Sequence, residues 1–132
     1  MTDLLIDSSV WIDHFRAAGG RADLTRALDA RSVVICGPIA GELLSGVRGE
    51  PAILLGRRLR GLRWIAMVEP TDWFSAADLR ARSAARGRPV ALLDALIAAL
   101  ASRVQAQLWT LDRDFEAIAE VAGGLDLRIL PA

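Results

Sequence analysis

Leu4-Leu5-Ile6-Asp7-Ser8-Ser9-Val10-Trp11-Ile12 stands near the start of the chain and decides how the rest is read. Three apolar residues, an acid and two serines, then apolar residues in helical spacing through Phe15, predict a buried strand, a tight turn and a helix. Asp7 therefore falls at the carboxyl end of a first strand. Ligands of open parallel α/β sheets gather just outside that edge, which makes Asp7 a candidate for chemistry. The competing reading is that Asp7 or Ser8 only caps the helix, because both side chains accept hydrogen bonds from free helix N–H groups. Whether other acids reach the same edge decides between the two.

Going outward, Gly19 and Gly20 end the first helix, and Leu24 and Leu28 mark a short second one. Ser32, Val33, Val34, Ile35 and Cys36 read as a second buried strand, closed by Gly37 and Pro38. Proline suits the first turn of a helix, and Ile39, Leu43 and Val47 continue that helix with Gly46 and Gly49 near its end. Glu42 sits one turn in, among small and apolar neighbours that predict a carboxylate off the open solvated face. A basic helix follows, with Leu54, Leu55, Leu59 and Leu62 as its apolar side and Arg57, Arg58, Arg60 and Arg63 around the rest. Trp64 to Val68 read as a third strand. Thr71 or Asp72 then caps a helix carrying Trp73, Phe74, Ala77 and Leu79, and Arg80, Arg82, Arg86 and Arg88 form its basic cluster. Both clusters are read either as solvated faces or as phosphate-contacting surfaces, since guanidinium meets phosphate bidentately.

Val90 to Ala101 is apolar at every position except Asp94, which predicts a buried helix around one carboxylate. A lone buried carboxylate persists only if it is paired, protonated or bound to a cation. Leu108, Trp109 and Thr110 predict a fourth strand with Asp112 and Asp114 at its end, where either acid could cap the helix that runs on through Phe115, Ile118 and Ala122. Leu127 to Leu130 predict a last strand. Strands alternating with helices imply a three-layer α/β/α fold, with a mainly parallel sheet of four to five strands and helices on both faces. Residues 1–132 are read as a single domain.

Composition narrows the chemistry. The hydrophobic share is 53% and the mean hydropathy +0.33, which exclude a disordered chain. No basic leader opens the sequence and no apolar run reaches the roughly 20 residues of a membrane span, so a soluble cytoplasmic protein without membrane contact is expected. Net charge is zero, and all 16 basic residues are arginine. A phosphate-binding lysine is thus unavailable, which removes the P-loop NTPases. Receiver domains and haloacid-dehalogenase-like phosphatases also place an Asp after the first strand, but they need a lysine too. Asp7, Glu42, Asp112 and Asp114 fall at or one turn beyond the carboxyl ends of strands, an edge that can gather them with Asp94, and several carboxylates so placed repel one another unless a cation neutralises them. Oxygen-only ligands select Mg²⁺, with Mn²⁺ as substitute, and His14 and Cys36 are too sparse a set for zinc.

At this point the chain resembles the PIN-domain family, and within it the small VapC-type toxins of bacterial toxin–antitoxin pairs. The resemblance is carried by Leu4 to Ile12, by Ile39-Ala40-Gly41-Glu42-Leu43-Leu44-Ser45-Gly46, by Leu93-Asp94-Ala95-Leu96-Ile97-Ala98, and by Thr110-Leu111-Asp112-Arg113-Asp114-Phe115. It implies ribonuclease activity and a divalent metal held by the acids, with Asp7, Glu42, Asp94 and Asp112 as the quartet and Asp114 as a fifth acid. It places Ser8 and Thr110 as polar groups behind those acids, and it implies an RNA substrate, a homodimer and a cognate antitoxin.

With one histidine and no lysine, the residues favour metal-assisted hydrolysis, leaving a 5′-phosphate and a 3′-hydroxyl, over attack by the RNA 2′-hydroxyl. Two other readings stay open. A Toprim-type nuclease also combines a Glu with an Asp-x-Asp pair, although it would carry the Glu after the first strand. A non-catalytic PIN-like module would bind RNA or protein only. Trp11, Ile12 and Phe15 supply more apolar bulk than one helix face needs. Core packing is expected for at least two of them, and the remainder could form a groove for a partner's helix.

Overall fold

The computed structural model describes residues 2–132, in the order β1 (Leu4–Ile6), α1 (Ser8–Arg16), α2 (Ala22–Asp29), β2 (Val33–Ile35), α3 (Gly37–Ser45), α4 (Glu50–Arg60), β3 (Arg63–Trp64), α5 (Thr71–Ala85), α6 (Leu92–Val104), β4 (Gln107–Thr110), α7 (Asp114–Ala122) and β5 (Leu127–Ile129). The five strands form one sheet in the order β3-β2-β1-β4-β5, and every pairing is parallel. Helices cover both faces, so the three-layer α/β/α architecture expected from the alternation of elements is the one found. β1 lies in the middle, with Leu4 opposite both Val33 and Gln107, and Ile6 opposite Trp109. Burial from both faces explains why β1 and β2 are apolar at successive positions rather than alternating. Leu5, Ile6, Ile35 and Leu108 are all fully enclosed.

The strand order fixes where a site can form. From β1 the chain steps outward through β2 and β3, then crosses back to place β4 on the other side of β1. The crevice between the carboxyl ends of β1 and β4 is therefore a topological switch point, the place where open α/β sheets bind ligands. The backbone there is tied across by the Asp7 amide, which donates to the Trp109 carbonyl at 2.9 Å.

Several elements differ from their sequence expectation. The third strand is only Arg63–Trp64 instead of residues 64–68. The Ile65 amide still donates to the Ile35 carbonyl at 2.8 Å, but beyond it side chains take over the backbone groups. Arg103 donates to the Ala66 carbonyl, and the Val68 amide donates to Asp72 Oδ2 at 2.7 Å. Asp72 is thus no conventional cap of α5: Pro70 holds the cap position, and the buried Asp72 carboxylate pairs with the Arg103 guanidinium at 2.8 Å. α3 stops at Ser45, before Val47. The apolar side expected of α4 is only partly covered, with Leu59 buried and Leu54 exposed. Trp73 and Phe74 point outward, Phe74 being 72% exposed. The helix expected from Val90 begins at Leu92 and runs to Val104, so Asp94 falls in its first turn rather than in its buried middle. Residues Ala95 to Ala101 of that helix are buried, as expected.

Candidate active site: an acidic pocket at the carboxyl edge

β1 delivers Asp7 to the edge, and the turn into α1 follows at once. The Asp7 side chain is 5% exposed, and both protons its neighbours can offer converge on one oxygen. Ser9 Oγ donates to Asp7 Oδ2 at 2.8 Å, and Thr110 Oγ1, at the end of β4, donates to the same atom at 2.8 Å. Each hydroxyl also accepts an amide from the turn after β4: Leu111 N–H to Ser9 at 3.1 Å, Asp112 N–H to Thr110 at 3.0 Å. Two loops from opposite sides of the switch point are laced together behind Asp7. Among the described residues no donor engages Oδ1, which leaves that oxygen for the pocket. The hydroxyl predicted by motif, Thr110, is in place. Ser8 lines the pocket, whereas the serine that holds Asp7 is Ser9.

Asp7, Glu42, Asp94 and Asp112 line one depression of about 590 Å³, together with Ser8, Ser9, Ile12, Ala91, Leu92 and Leu93. All four acids come from different elements: the ends of β1 and β4, the second turn of α3 and the first turn of α6. Their proximity is written into the Asp94 carboxyl, which is pushed up to about 6 by burial first, then by Asp7, Asp112, Glu42 and Asp114 in falling order. Glu42 is raised as well, by partial burial and by Asp7, with the Ser8 hydroxyl opposing the shift. Contrary to its small apolar neighbours in sequence, Glu42 is exposed and sits at the rim. Asp114 is exposed outside the pocket lining; its amide donates to Asp112 Oδ1 at 2.8 Å, so Asp112 steadies the start of α7.

This donor set fits a divalent cation. It is all oxygen, and the Asp94 carboxyl, raised by burial and then by the neighbouring acids, has no cationic partner among the described residues. Among the described residues no three acids, histidines or cysteines are drawn together as a ready-made cage. An open pocket of this kind suits a hard divalent cation that keeps several of its waters. The other reactive groups are out of play. The Cys36 thiol is buried at the end of β2 and pushed up to about 11, mainly by burial and further by Asp7 and Glu42. His14 Nδ1 accepts the Arg21 amide at 2.8 Å between α1 and α2.

Of Trp11, Ile12 and Phe15, only Trp11 packs in the core, against the expectation of at least two. Ile12 and Phe15 are exposed, Phe15 by 50%, and both line a groove of about 280 Å³ with Leu43, Val47 and Leu55. Ile12 and Glu42 belong to this groove and to the acidic pocket alike.

The predicted basic residues are dispersed. Arg63 pairs with Asp3 at 2.8 Å, Arg82 with Asp78 at 3.1 Å, and Arg88 with Glu120 at 2.8 Å, with Arg86 3.9 Å from the same carboxylate. Arg57, Arg58 and Arg60 lie on the last turns of α4, which lead to the amino edge of the sheet. Among the described residues no helix is long and apolar enough to cross a membrane.

Comparison with known proteins agrees with this geometry. The family model described as PIN domain matches residues 4–121. Ribonuclease VapC11 of Mycobacterium tuberculosis is 36% identical over 124 residues, covering 89% of this chain and 92% of that protein. Among solved structures, VapBC-1 from nontypeable Haemophilus influenzae superposes with a TM-score of 0.75 at 17% identity, covering 96% of this chain and 97% of that one. A toxin–antitoxin complex from Klebsiella pneumoniae gives 0.63 at 22% identity, covering 96% of both chains. Four acids at the switch point of a parallel sheet, in a chain matched along nearly its whole length, place this protein in the PIN domain family, within its VapC group.

Proposed function

We propose that the protein is a metal-dependent endoribonuclease, the toxin of a toxin–antitoxin pair, and that residues 1–132 act as one nuclease domain. The observation that carries the reading is the single pocket lined by Asp7, Glu42, Asp94 and Asp112 in a chain 36% identical to a VapC ribonuclease. The cofactor is a divalent cation, and we assign Mg²⁺, with Mn²⁺ as substitute. When bound, it supplies the Lewis acidity that activates water and stabilises a leaving oxygen. The chain's own part is to place it. Asp7 presents Oδ1 because Ser9 and Thr110 hold Oδ2. Asp94, Asp112 and Glu42 surround the same space, and Asp114 adds charge from outside the lining. Leu92 and Leu93 wall the pocket with apolar surface that limits water around the reacting phosphodiester. The products are a 5′-phosphate and a 3′-hydroxyl.

The partner is an antitoxin. The groove of Ile12, Phe15, Leu43, Val47 and Leu55 suits the apolar face of a helix, and it opens into the acids at Glu42. There an arginine of the partner would meet carboxylate bidentately, in the place a cation would take. The chain acts as a homodimer in the cytoplasm, and some of its arginines supply contacts to RNA phosphates. The test is cleavage of total RNA with Mg²⁺ and with EDTA. Wild type cuts only with the metal, and Asp7→Asn, Glu42→Gln, Asp94→Asn and Asp112→Asn are folded but inactive. Metal-independent cleavage, or full activity in Asp94→Asn, overturns the reading.

A further inference from the structure

The acidic pocket does not end at its own rim. Leu92 also lines a second depression, of about 500 Å³, whose other walls are Ala77, Arg80, Ala81, Ala84, Pro89 and Val90. The three alanines recur at spacings of four and three residues on α5, so they share one face, and their small side chains leave room for a ligand to approach the helix closely. Arg80 is fixed in this depression through Nε, which donates to the Val90 carbonyl at 3.2 Å. Its two terminal nitrogens have no acidic partner among the described residues.

That freedom sets Arg80 apart. Arg63, Arg82 and Arg88 are held in ion pairs of 2.8–3.1 Å, Arg86 faces the same glutamate as Arg88, and the arginines of α4 lead toward the opposite edge of the sheet. We propose that Arg80 is the arginine that grips the substrate strand, binding an RNA phosphate in the alanine-floored depression while the scissile bond lies over the acids. The inference rests on the ribonuclease reading above. A guanidinium meets a phosphate bidentately, and one already pinned at Nε loses less freedom in doing so. The position matters as much as the geometry. A pocket of carboxylates repels the phosphates of its own substrate, and an uncompensated cation adjoining it draws the strand across.

The experiment reads binding apart from cleavage. A fluorescein-labelled single-stranded RNA of mixed sequence is titrated with the full-length protein in EDTA at several salt concentrations, and cleavage kinetics are then measured with Mg²⁺. Arg80→Ala is expected to weaken binding about tenfold, the loss of one charge-assisted contact. The plot of log affinity against log salt should flatten by about 0.7, the increment of one phosphate contact on a single strand. KM should rise while kcat stays within a factor of about two, and Arg80→Lys should fall between. The triple variant Arg57→Ala/Arg58→Ala/Arg60→Ala should match wild type. Equal RNA affinity in Arg80→Ala, an equal loss in the triple variant, or a changed oligomeric state with unchanged RNA affinity overturns the proposal. If wild type binds the RNA and Arg80→Ala loses that binding while no cleavage occurs with any divalent ion, the nuclease reading fails and the Arg80 contact stands.

Discussion

At the scale of single residues, the site is a balance between carboxylates that repel and hydroxyls that hold. Asp94 in the metal-free protein binds its proton more tightly when folded than when unfolded, since its carboxyl rises from 3.8 to about 6. The stability this confers is complete below the unfolded value and is lost as pH climbs through 6. Two units correspond nominally to ~3 kcal/mol, which solvent screening at a half-exposed site reduces to about 1 kcal/mol. Because part of the loss has already occurred at pH 4.5, wild type in EDTA should melt about 2 °C lower at pH 7 than at pH 4.5, and Asp94→Asn should reduce that difference, with the raised Glu42 carboxyl keeping the remainder. Asp23 and Asp72, whose carboxyls are held below their usual range, act below that window and do not obscure it. Thr110→Val keeps the shape of the side chain but removes the donor to Asp7 and the acceptor of the Asp112 amide. It should cost about 1–2 kcal/mol in urea denaturation, and Thr110→Ser should restore most of it. Asp7 was legible in sequence because it closes an apolar run. Ser9 was not, because two adjacent serines differ only in their phase around the first helical turn. Glu42 misled through its neighbours: Gly41 and Leu44 are themselves exposed, so apolar company in sequence did not mean burial.

At the scale of elements, the buried pair between Asp72 and Arg103 joins the start of α5 to the end of α6 and replaces strand pairing after β3. Burial pushes the Asp72 carboxyl up, but the Arg103 guanidinium and the Val68 amide more than offset it, so the group stays ionised. Arg103→Ala strands a 1%-exposed carboxylate and should destabilise the fold by about 3 kcal/mol in the same denaturation assay. A loss under 1 kcal/mol would show that the remaining Val68 contact suffices. Central strands were legible because burial on both faces leaves uninterrupted apolar runs. The third strand was over-read because an edge strand has one neighbour, and how far it pairs depends on a side-chain lock contributed from residues 72 and 103. The start of α6 carried no sequence mark either, since its cap position is Ala91, which has no side-chain oxygen.

At the scale of the molecule, alternation of strand and helix made the parallel sheet legible but not its order, because apolar runs do not record which neighbour they join. The order matters most for the site: it puts β1, the strand that carries Asp7, between β2 and β4. Charge that sums to zero is likewise separated, with carboxylates at the carboxyl edge and the α4 arginines leading to the amino edge. If the chain is one cooperative domain, tryptophan fluorescence and far-UV circular dichroism should report the same urea midpoint, and separated midpoints would contradict it. The middle place of β1 also sets a hierarchy in time. Its amides are shielded by a paired strand on each side, so they can exchange with deuterium only when the sheet itself opens, while those around Gly46 to Gly49 and along two-residue β3 exchange through local fluctuations. Asp7, whose own amide is bonded into β4, belongs to the slow class. The pocket is thus anchored through Asp7, the acid whose amide is among the last to exchange when the sheet opens.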